Sequence, residues 1–380
     1  MKRYLLTFFI ACAVSLAWGQ PAKRTTAFNY LRNGKLDKAL ENIEPCLTHP
    51  KTMNEAKTWF YRGNIYLQIG LSDKPEYKAL SDNPFKEAYE SYQKALTLEG
   101  ANEFKLDIIQ NMSVIAEGFY IQGVEKFNGQ DYSSAANLFI ESAKVKDEIG
   151  VFDTAAIYNA GLCAELANDN QLALGQYKKV YEAGLRNPNI YTSLINVSLK
   201  SGDTAAAMTY ATEGRKQFPE DFSILIAETN IFLAKNMTEQ ALSNLEIAKN
   251  LDQTNPSIFF AVGVSYDRLG NFQKAEEAYL KAIELKPDYF DAIYNLGALY
   301  VNKAAITLDE ANQLPLEKEK EYNEMKNLAD SYLDKALPFL EQAHQLDPKD
   351  RNTMASLKEI YAREGNVEKA KEMDEKLKMQ

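Results

Sequence analysis

Apolar and small residues recur at helical spacing through the segment 256–289. Its first half places them on one helical face, at Phe259, Val262, Gly263 and Tyr266. Its second half does the same, at Phe272, Ala275, Tyr279, Ala282 and Leu285. Gly270-Asn271 separates the halves and Pro287 follows them, and such residues typically end helices. The pattern predicts a helical hairpin of 34 residues with one apolar face on each helix. Gly263 and Ala275 are expected where the two helices approach closely, and Ala282 where the next hairpin packs.

The same frame repeats on both sides of this segment. Matching residues are Ile293, Leu296, Gly297 and Tyr300 downstream, and Leu225, Ala241, Leu245, Tyr191, Leu194, Ala207, Ala211, Gly161, Ala173 and Tyr177 upstream. The predicted repeats span residues 22–53, 56–102, 103–153, 154–187, 188–221, 222–255, 256–289, 290–350 and 351–380. A single hairpin cannot bury its apolar face alone, so stability must come from stacking neighbours.

These segments resemble the tetratricopeptide repeat. They place an aromatic residue, Leu-Gly, Tyr, Gly, Ala, a second aromatic residue, Ala and Pro at the offsets of that repeat. The resemblance covers essentially the whole chain after residue 19, and the type is similar to exported proteins of Bacteroidota. It implies an all-α fold, a right-handed superhelical solenoid of about nine hairpins. It also implies a non-catalytic protein–protein interaction scaffold.

Three insertions interrupt the frame. About 13 extra residues, at 71–84, separate the two helices of the second repeat, and about 13 more, at 103–115, are expected to lengthen the first helix of the third. The eighth repeat contains an insertion over 303–332 that is rich in Glu and Lys and lacks glycine, so it is predicted to be helical. The last helix of the ninth repeat is largely charged, as a terminal repeat requires.

The N-terminus carries its own signal. Lys2 and Arg3 precede an apolar run over 4–16 and the small residues Ala17 and Gly19, which predicts a secretory signal peptide over 1–19 and a periplasmic location. An uncleaved anchor, a lipoprotein acylated at Cys12, or a secreted protein are the alternatives. No later segment is apolar enough to cross a membrane, so no membrane span is expected after signal removal.

Charge and residue usage narrow the function. The net charge of −10 disfavours a nucleic-acid partner, which favours a concentrated basic surface. The two histidines, His49 and His344, lie in repeats at opposite ends, so no metal site, cofactor or catalytic residue is predicted. Cys46 and Cys163 are expected to be buried small hydrophobes. Gly118 and Gly123 have phosphate-loop spacing, but Val124-Glu125 follows and the segment is helical, so that motif is void.

The resemblance implies that the first helices line a concave groove that binds the partner. The fifth position of the repeats is often aromatic and neighbouring positions carry asparagine; the candidate groove residues are Phe60, Asn64, Tyr120, Tyr158, Asn159, Asn196, Asn230, Phe260, Tyr294 and Asn295. Aromatic rings offer large contact area, and asparagine can donate to and accept from a peptide backbone. The alternative is that the fifth-position aromatics only pack between hairpins.

Two further readings stay open at this point. The favoured partner is a peptide segment or a protein held in the groove, and the alternative is capture of a glycan or nutrient ligand. The triplets Asp153-Thr154-Ala155 and Asp203-Thr204-Ala205 resemble an O-glycosylation acceptor of Bacteroidota periplasmic proteins, but Asp at a helix start is also a common N-cap.

Overall fold

The structure, a computed structural model, describes residues 22–379 and contains helices and no strand over that range. It divides into two compact units, an N-terminal unit that ends at Arg186 and a C-terminal unit that begins at Asn187. The predicted signal peptide, with Cys12, lies outside the described residues.

The N-terminal unit is a series of antiparallel helices. They are α1 (22–32), α2 (Leu36–Ile43), α3 (Ala56–Leu71), the single turn α4 (Pro75–Lys78), α5 (Pro84–Leu96), α6 (Lys105–Asn128), α7 (Tyr132–Glu148), α8 (Thr154–Leu166) and α9 (Asn170–Glu182). The hairpin partners α3 and α5, α6 and α7, and α8 and α9 pack along each other.

The C-terminal unit continues the alternation. Its helices are α10 (Pro188–Lys200), α11 (Thr204–Gln217), α12 (Phe222–Ala234), α13 (Thr238–Leu251), α14 (Pro256–Arg268), α15 (Phe272–Leu285), α16 (Phe290–Asn312), α17 (Glu319–Leu346), α18 (Arg351–Arg363) and α19 (Val367–Lys378). The helices of this unit pack as the hairpins α10/α11, α12/α13, α14/α15, α16/α17 and α18/α19.

The expected insertions are helical. The connection in the second repeat contains α4, the third repeat begins with the 24-residue helix α6, and the eighth repeat consists of α16 and the 28-residue helix α17. The last helix, α19, buries Met373 and leaves its charged residues in solvent. Its polar face is the one expected of a terminal repeat.

Five of the turns inside the hairpins share one construction. A residue with positive φ is followed directly by an Asp or Asn that caps the second helix, at Gln130-Asp131, Asn168-Asp169, Gly202-Asp203, Gly270-Asn271 and Gly365-Asn366. The Asp153 and Asp203 side chains cap their helices, because their carboxylates accept the backbone N–H of Ala156 and Ala206 at 3.0 and 2.9 Å. The N-cap interpretation of these two residues is therefore confirmed.

Three hairpins bring their helices together where a glycine of the first helix faces a tyrosine of the second. A Cβ added at Gly63, Gly161 or Gly263 would lie 2.4–2.7 Å from ring carbons of Tyr92, Tyr177 and Tyr279 on the second helix. All three tyrosines are fully buried. The expected close approach at Gly263 is confirmed, and its physical reason is that the tyrosine ring occupies the space of the missing side chain.

Neighbouring hairpins are joined by a repeated tyrosine–glutamate hydrogen bond. The Tyr266 hydroxyl donates to Glu246 at 3.1 Å, and the Tyr361 hydroxyl donates to Glu341 at 2.5 Å. In each pair the tyrosine is on a first helix and the glutamate is on the preceding second helix. Hydrogen bonds from Tyr361 and Lys369 lower the pKa of Glu341.

The glycine–tyrosine packing predicts opposite effects of two alanine substitutions in the α8/α9 hairpin. Gly161→Ala places a methyl group 2.7 Å from Cε1 of Tyr177 and should lower the free energy of unfolding by about 1–3 kcal/mol. Gly175→Ala adds a methyl group with no atom within 4 Å and should raise it by about 0.5–1 kcal/mol through helix propensity. Urea unfolding followed by circular dichroism measures both. Equal effects of the two substitutions would contradict the packing account.

Candidate protein-binding surface

The first helices of successive hairpins lie side by side within each unit. In the N-terminal unit α3 contacts α6, and in the C-terminal unit α10 contacts α12 and α14 contacts α16. We call the surfaces formed by these helices the first-helix faces. All ten candidate groove residues lie on first helices, five in each unit.

Four of the five fifth-position aromatics pack inside their own hairpins. The ring centroids of Phe60 and Tyr92, Tyr158 and Tyr177, and Phe260 and Tyr279 are 6.2, 5.5 and 6.0 Å apart, with interplanar angles of 41–46°. The Tyr120 ring lies 5.0 Å from that of Phe139 in the same role. Phe60 and Phe260 also contact the next hairpin, at Phe104 and Tyr289 with ring centroids 4.6 and 5.3 Å apart, so these two rings pack both within and between hairpins.

The remaining exposure of these rings differs. Phe60 is only 8% exposed and also stacks on Phe104 at 4.6 Å, so it belongs to the core of the N-terminal unit. Tyr120, Tyr158, Phe260 and Tyr294 are half-buried and keep part of each ring in solvent. Tyr294 stacks on Phe290 at 6.1 Å, and burial raises the pKa of its hydroxyl.

Asn64 takes part in an internal hydrogen-bond network. Its Oδ1 accepts from the Tyr92 hydroxyl at 2.6 Å and from the Asn111 Nδ2 at 3.0 Å, and Asn111 also donates to the Tyr92 hydroxyl at 2.9 Å. Burial raises the pKa of Tyr92. The network fixes both amides at the wall of a cavity between α3 and α6.

This cavity has a volume of about 650 Å³ and a mostly polar lining on the α6 side. Asn64 and Phe60 line it together with Gln68, Asp107, Gln110 and Asn111. Amide side chains of this kind can pair with both groups of a peptide bond. Asp107, Gln110 and Asn111 were not predicted from the sequence, because they lie in the lengthened part of α6, where the repeat frame gives no position.

Asn159 and Asn295 are also engaged. The Asn159 Nδ2 donates to the Tyr120 hydroxyl at 2.8 Å, which joins α8 to α6. The Asn295 Nδ2 donates to the backbone carbonyl of Asp291 at 2.7 Å, one turn back in its own helix. In contrast, Asn196 and Asn230 are exposed on adjacent helices α10 and α12 and present their amides to solvent.

The cysteine, histidine and glycine residues that were candidates for catalysis or ligand binding lie in the helical framework. Cys46 and Cys163 are buried, as expected, and burial raises the pKa of Cys163 to about 11. Burial and the nearby Lys376 lower the pKa of His344. Gly118 and Gly123 lie inside α6.

Across residues 22–379, no three His, Cys, Asp or Glu side chains converge in a way that could hold a metal ion. In that same range no helix has the length and hydropathy to span a bilayer.

Comparison with known proteins identifies the repeat. A family model described as TPR repeat matches residues 268–303. The chain is 22% identical over 179 residues to tetratricopeptide repeat protein 37 of Xenopus laevis, which is 46% of this chain and 11% of that protein. It is 21% identical over 272 residues to superkiller complex protein 3 of Mus musculus, which is 71% of this chain and 16% of that protein. The chain therefore spans a small part of either curated relative.

A solved structure shares the fold. The C-terminal part of a TPR repeat-containing protein from Cytophaga hutchinsonii superposes with a TM-score of 0.53 and 14% identity, over 68% of this chain and 93% of that one. YrrB, a TPR protein with an unusual peptide-binding site, superposes with a TM-score of 0.41 and 20% identity, over 55% and 98%. Residues 268–303 therefore match a TPR repeat, and the chain has the all-α fold of stacked helical hairpins that the Cytophaga hutchinsonii structure shares.

Two asparagines at the same repeat position should respond differently to alanine. Asn64→Ala removes the acceptor of the buried Tyr92 hydroxyl and should lower the free energy of unfolding by about 1–2 kcal/mol. Asn196→Ala removes an exposed amide and should change it by less than about 0.5 kcal/mol. Urea unfolding of the two variants tests this. A loss of stability in Asn196→Ala equal to that in Asn64→Ala would contradict the assignment.

Proposed function

We propose that this chain is a non-catalytic protein–protein interaction scaffold, and that a peptide segment or partner protein binds along its first-helix faces. The observation that carries the proposal is the pair of exposed asparagines, Asn196 and Asn230, on adjacent first helices with no internal structural role in the described chain. Half-buried aromatic rings such as Tyr158 and Phe260 add contact area at low entropic cost.

The polar cavity between α3 and α6 supports the same role. Its amides are held by the Asn64–Tyr92–Asn111 network, so a bound backbone would meet pre-oriented donors and acceptors. Preorganised groups of this kind lose little side-chain entropy on binding. The long α16/α17 hairpin is a second candidate contact surface, because Ile306 and Leu316 are 53% and 95% exposed there.

Capture of a glycan or nutrient has less support. Stacking on a sugar ring needs an open aromatic face, and Trp59 is the one tryptophan in the described residues. Its indole N–H donates to the Met53 carbonyl at 2.8 Å and its ring packs against the core. A thermal-shift screen with oligosaccharides separates the two functions, since only the glycan function predicts stabilisation.

We also propose that the scaffold works in the periplasm. The support is the basic, apolar and small-residue order of residues 1–19. Mass spectrometry of the chain purified from its native cell should find Gln20 as the first residue. A lipid-modified Cys12 at the N-terminus would indicate an anchored lipoprotein instead.

The first-helix assignment predicts that exposed asparagines control partner capture. The double variant Asn196→Ala/Asn230→Ala should weaken capture about tenfold, because two amide hydrogen bonds are worth about 1–3 kcal/mol together. Its melting temperature should stay unchanged, since both side chains are exposed. Quantitative affinity purification from the native envelope, followed by mass spectrometry, measures the change.

The matched control is Asn250→Ala, an exposed asparagine on the second helix α13 of the same unit. It should leave capture at the level of the unmodified chain. Unchanged capture by the double variant, or an equal loss with Asn250→Ala, would contradict the first-helix assignment.

A further inference from the structure

A second groove in the N-terminal unit lies between the α3–α5 connection (residues 72–83) and α6. We call it the acidic groove. Its volume is about 580 Å³. Phe85 closes its floor, since a Cβ added at Gly70 or Gly118 would lie 2.8 or 2.5 Å from that ring. Because neither glycine has a side chain, the groove extends down to the Phe85 ring.

The walls of the acidic groove expose apolar side chains. Leu71, Val114 and Ile121 are 48%, 38% and 52% exposed and line it. Val114 and Ile121 are two helical turns apart on α6, about 10 Å along its axis. A grouped apolar surface of this kind, rimmed by polar residues, is typical of an interaction site.

The rim carries an excess of negative charge. Asp73, Asp82, Glu117 and Glu125 line the groove against one lysine, Lys78. None of the four carboxylates forms an ion pair within residues 22–379. Carboxylates close by do form them: Arg62 pairs with Glu44 and Glu87 at 3.0 and 2.6 Å. The groove therefore presents unneutralised acidic groups around an apolar centre.

We propose that the acidic groove binds a cationic amphipathic segment of a partner protein. The apolar residues of that segment would cover Val114, Ile121 and Leu71, and its lysine or arginine residues would pair with the four rim carboxylates. Charge complementarity selects this class, because an acidic peptide or a nucleic acid would meet like charge. The proposal rests on the proposed function only in taking the partner to be a protein.

The groove can be tested with synthetic peptides of about five helical turns on the full chain. The probe carries leucine on one face and lysine on the other; one comparison peptide replaces lysine with glutamate, and another replaces leucine with serine. Fluorescence anisotropy should detect binding of the lysine–leucine peptide alone. Raising the salt concentration from about 50 to about 500 mM should weaken it, because the rim charges are exposed.

Two variants separate the groove from general attraction to an acidic protein. Glu117→Lys/Glu125→Lys should weaken binding at least about tenfold, whereas Glu182→Lys/Glu359→Lys makes the same change of net charge on exposed positions elsewhere and should leave it within about twofold. Ile121→Asp should abolish binding. Leu280→Asp, at an exposed apolar residue of the second helix α15 (42% against 52%), should not affect it.

Three results would overturn the proposal. They are equal binding of the glutamate–leucine peptide, equal loss in the two charge-reversal variants, and a change from dimer to monomer on Ile121→Asp in sedimentation, which would make the groove a contact between copies. None of these three results contradicts the proposed function, provided that Asn196→Ala/Asn230→Ala still loses partner capture. Loss of peptide binding in Glu117→Lys/Glu125→Lys, together with unchanged partner capture by Asn196→Ala/Asn230→Ala, would support the acidic groove and contradict the first-helix assignment of Asn196 and Asn230.

Discussion

In three of the hairpins a first-helix glycine leaves room for a tyrosine ring of the second helix, and the other contacts of those hairpins are arranged around that ring. At Gly63 the ring is Tyr92, which is fully buried and directs its hydroxyl to Asn64. Phe60, three residues before the glycine, packs on the same ring. One packing constraint therefore fixes an aromatic and an amide of the first-helix face, and links hairpin stability to the shape of the surface.

The neighbouring hairpins fill the corresponding space between their two helices with different side chains. At the positions equivalent to Gly263 and Tyr279, the α10/α11 hairpin has Ile195 and Ala211, both fully buried, so the large side chain has moved to the first helix. The α12/α13 hairpin has Thr229 and Leu245 there. Neither hairpin has a tyrosine at that second-helix position, and Asn196 and Asn230 are exposed, while Asn64 at the same repeat position is engaged. This difference leaves the amides of Asn196 and Asn230 exposed, whereas that of Asn64 is held in the Tyr92–Asn111 network.

The repeat pattern predicted much of this arrangement. Helix positions, the close approach at Gly263, the helical insertions and the burial of Cys46 and Cys163 all follow from apolar periodicity and small residues at close contacts. The roles of the ten candidate residues did not follow, because they depend on which residue stands opposite on the second helix. The pattern also gave no position for Asn111, since it lies in the part of α6 that exceeds the repeat frame. The acidic groove combines framework residues such as Ile121 with Val114 in that extra length and with the 72–83 connection, so the frame alone did not predict it.

The central claim is that partner contact occurs on the first helices. Site-directed photo-crosslinking in the native cell envelope tests it most directly, with a photoreactive phenylalanine analogue placed at position 196 or 230 and, for comparison, at the exposed second-helix positions of Ser243 and Asn250. The account predicts a discrete cross-linked protein from positions 196 and 230 and none from 243 and 250. Cross-links from the second-helix positions alone, or equally from all four, would contradict it.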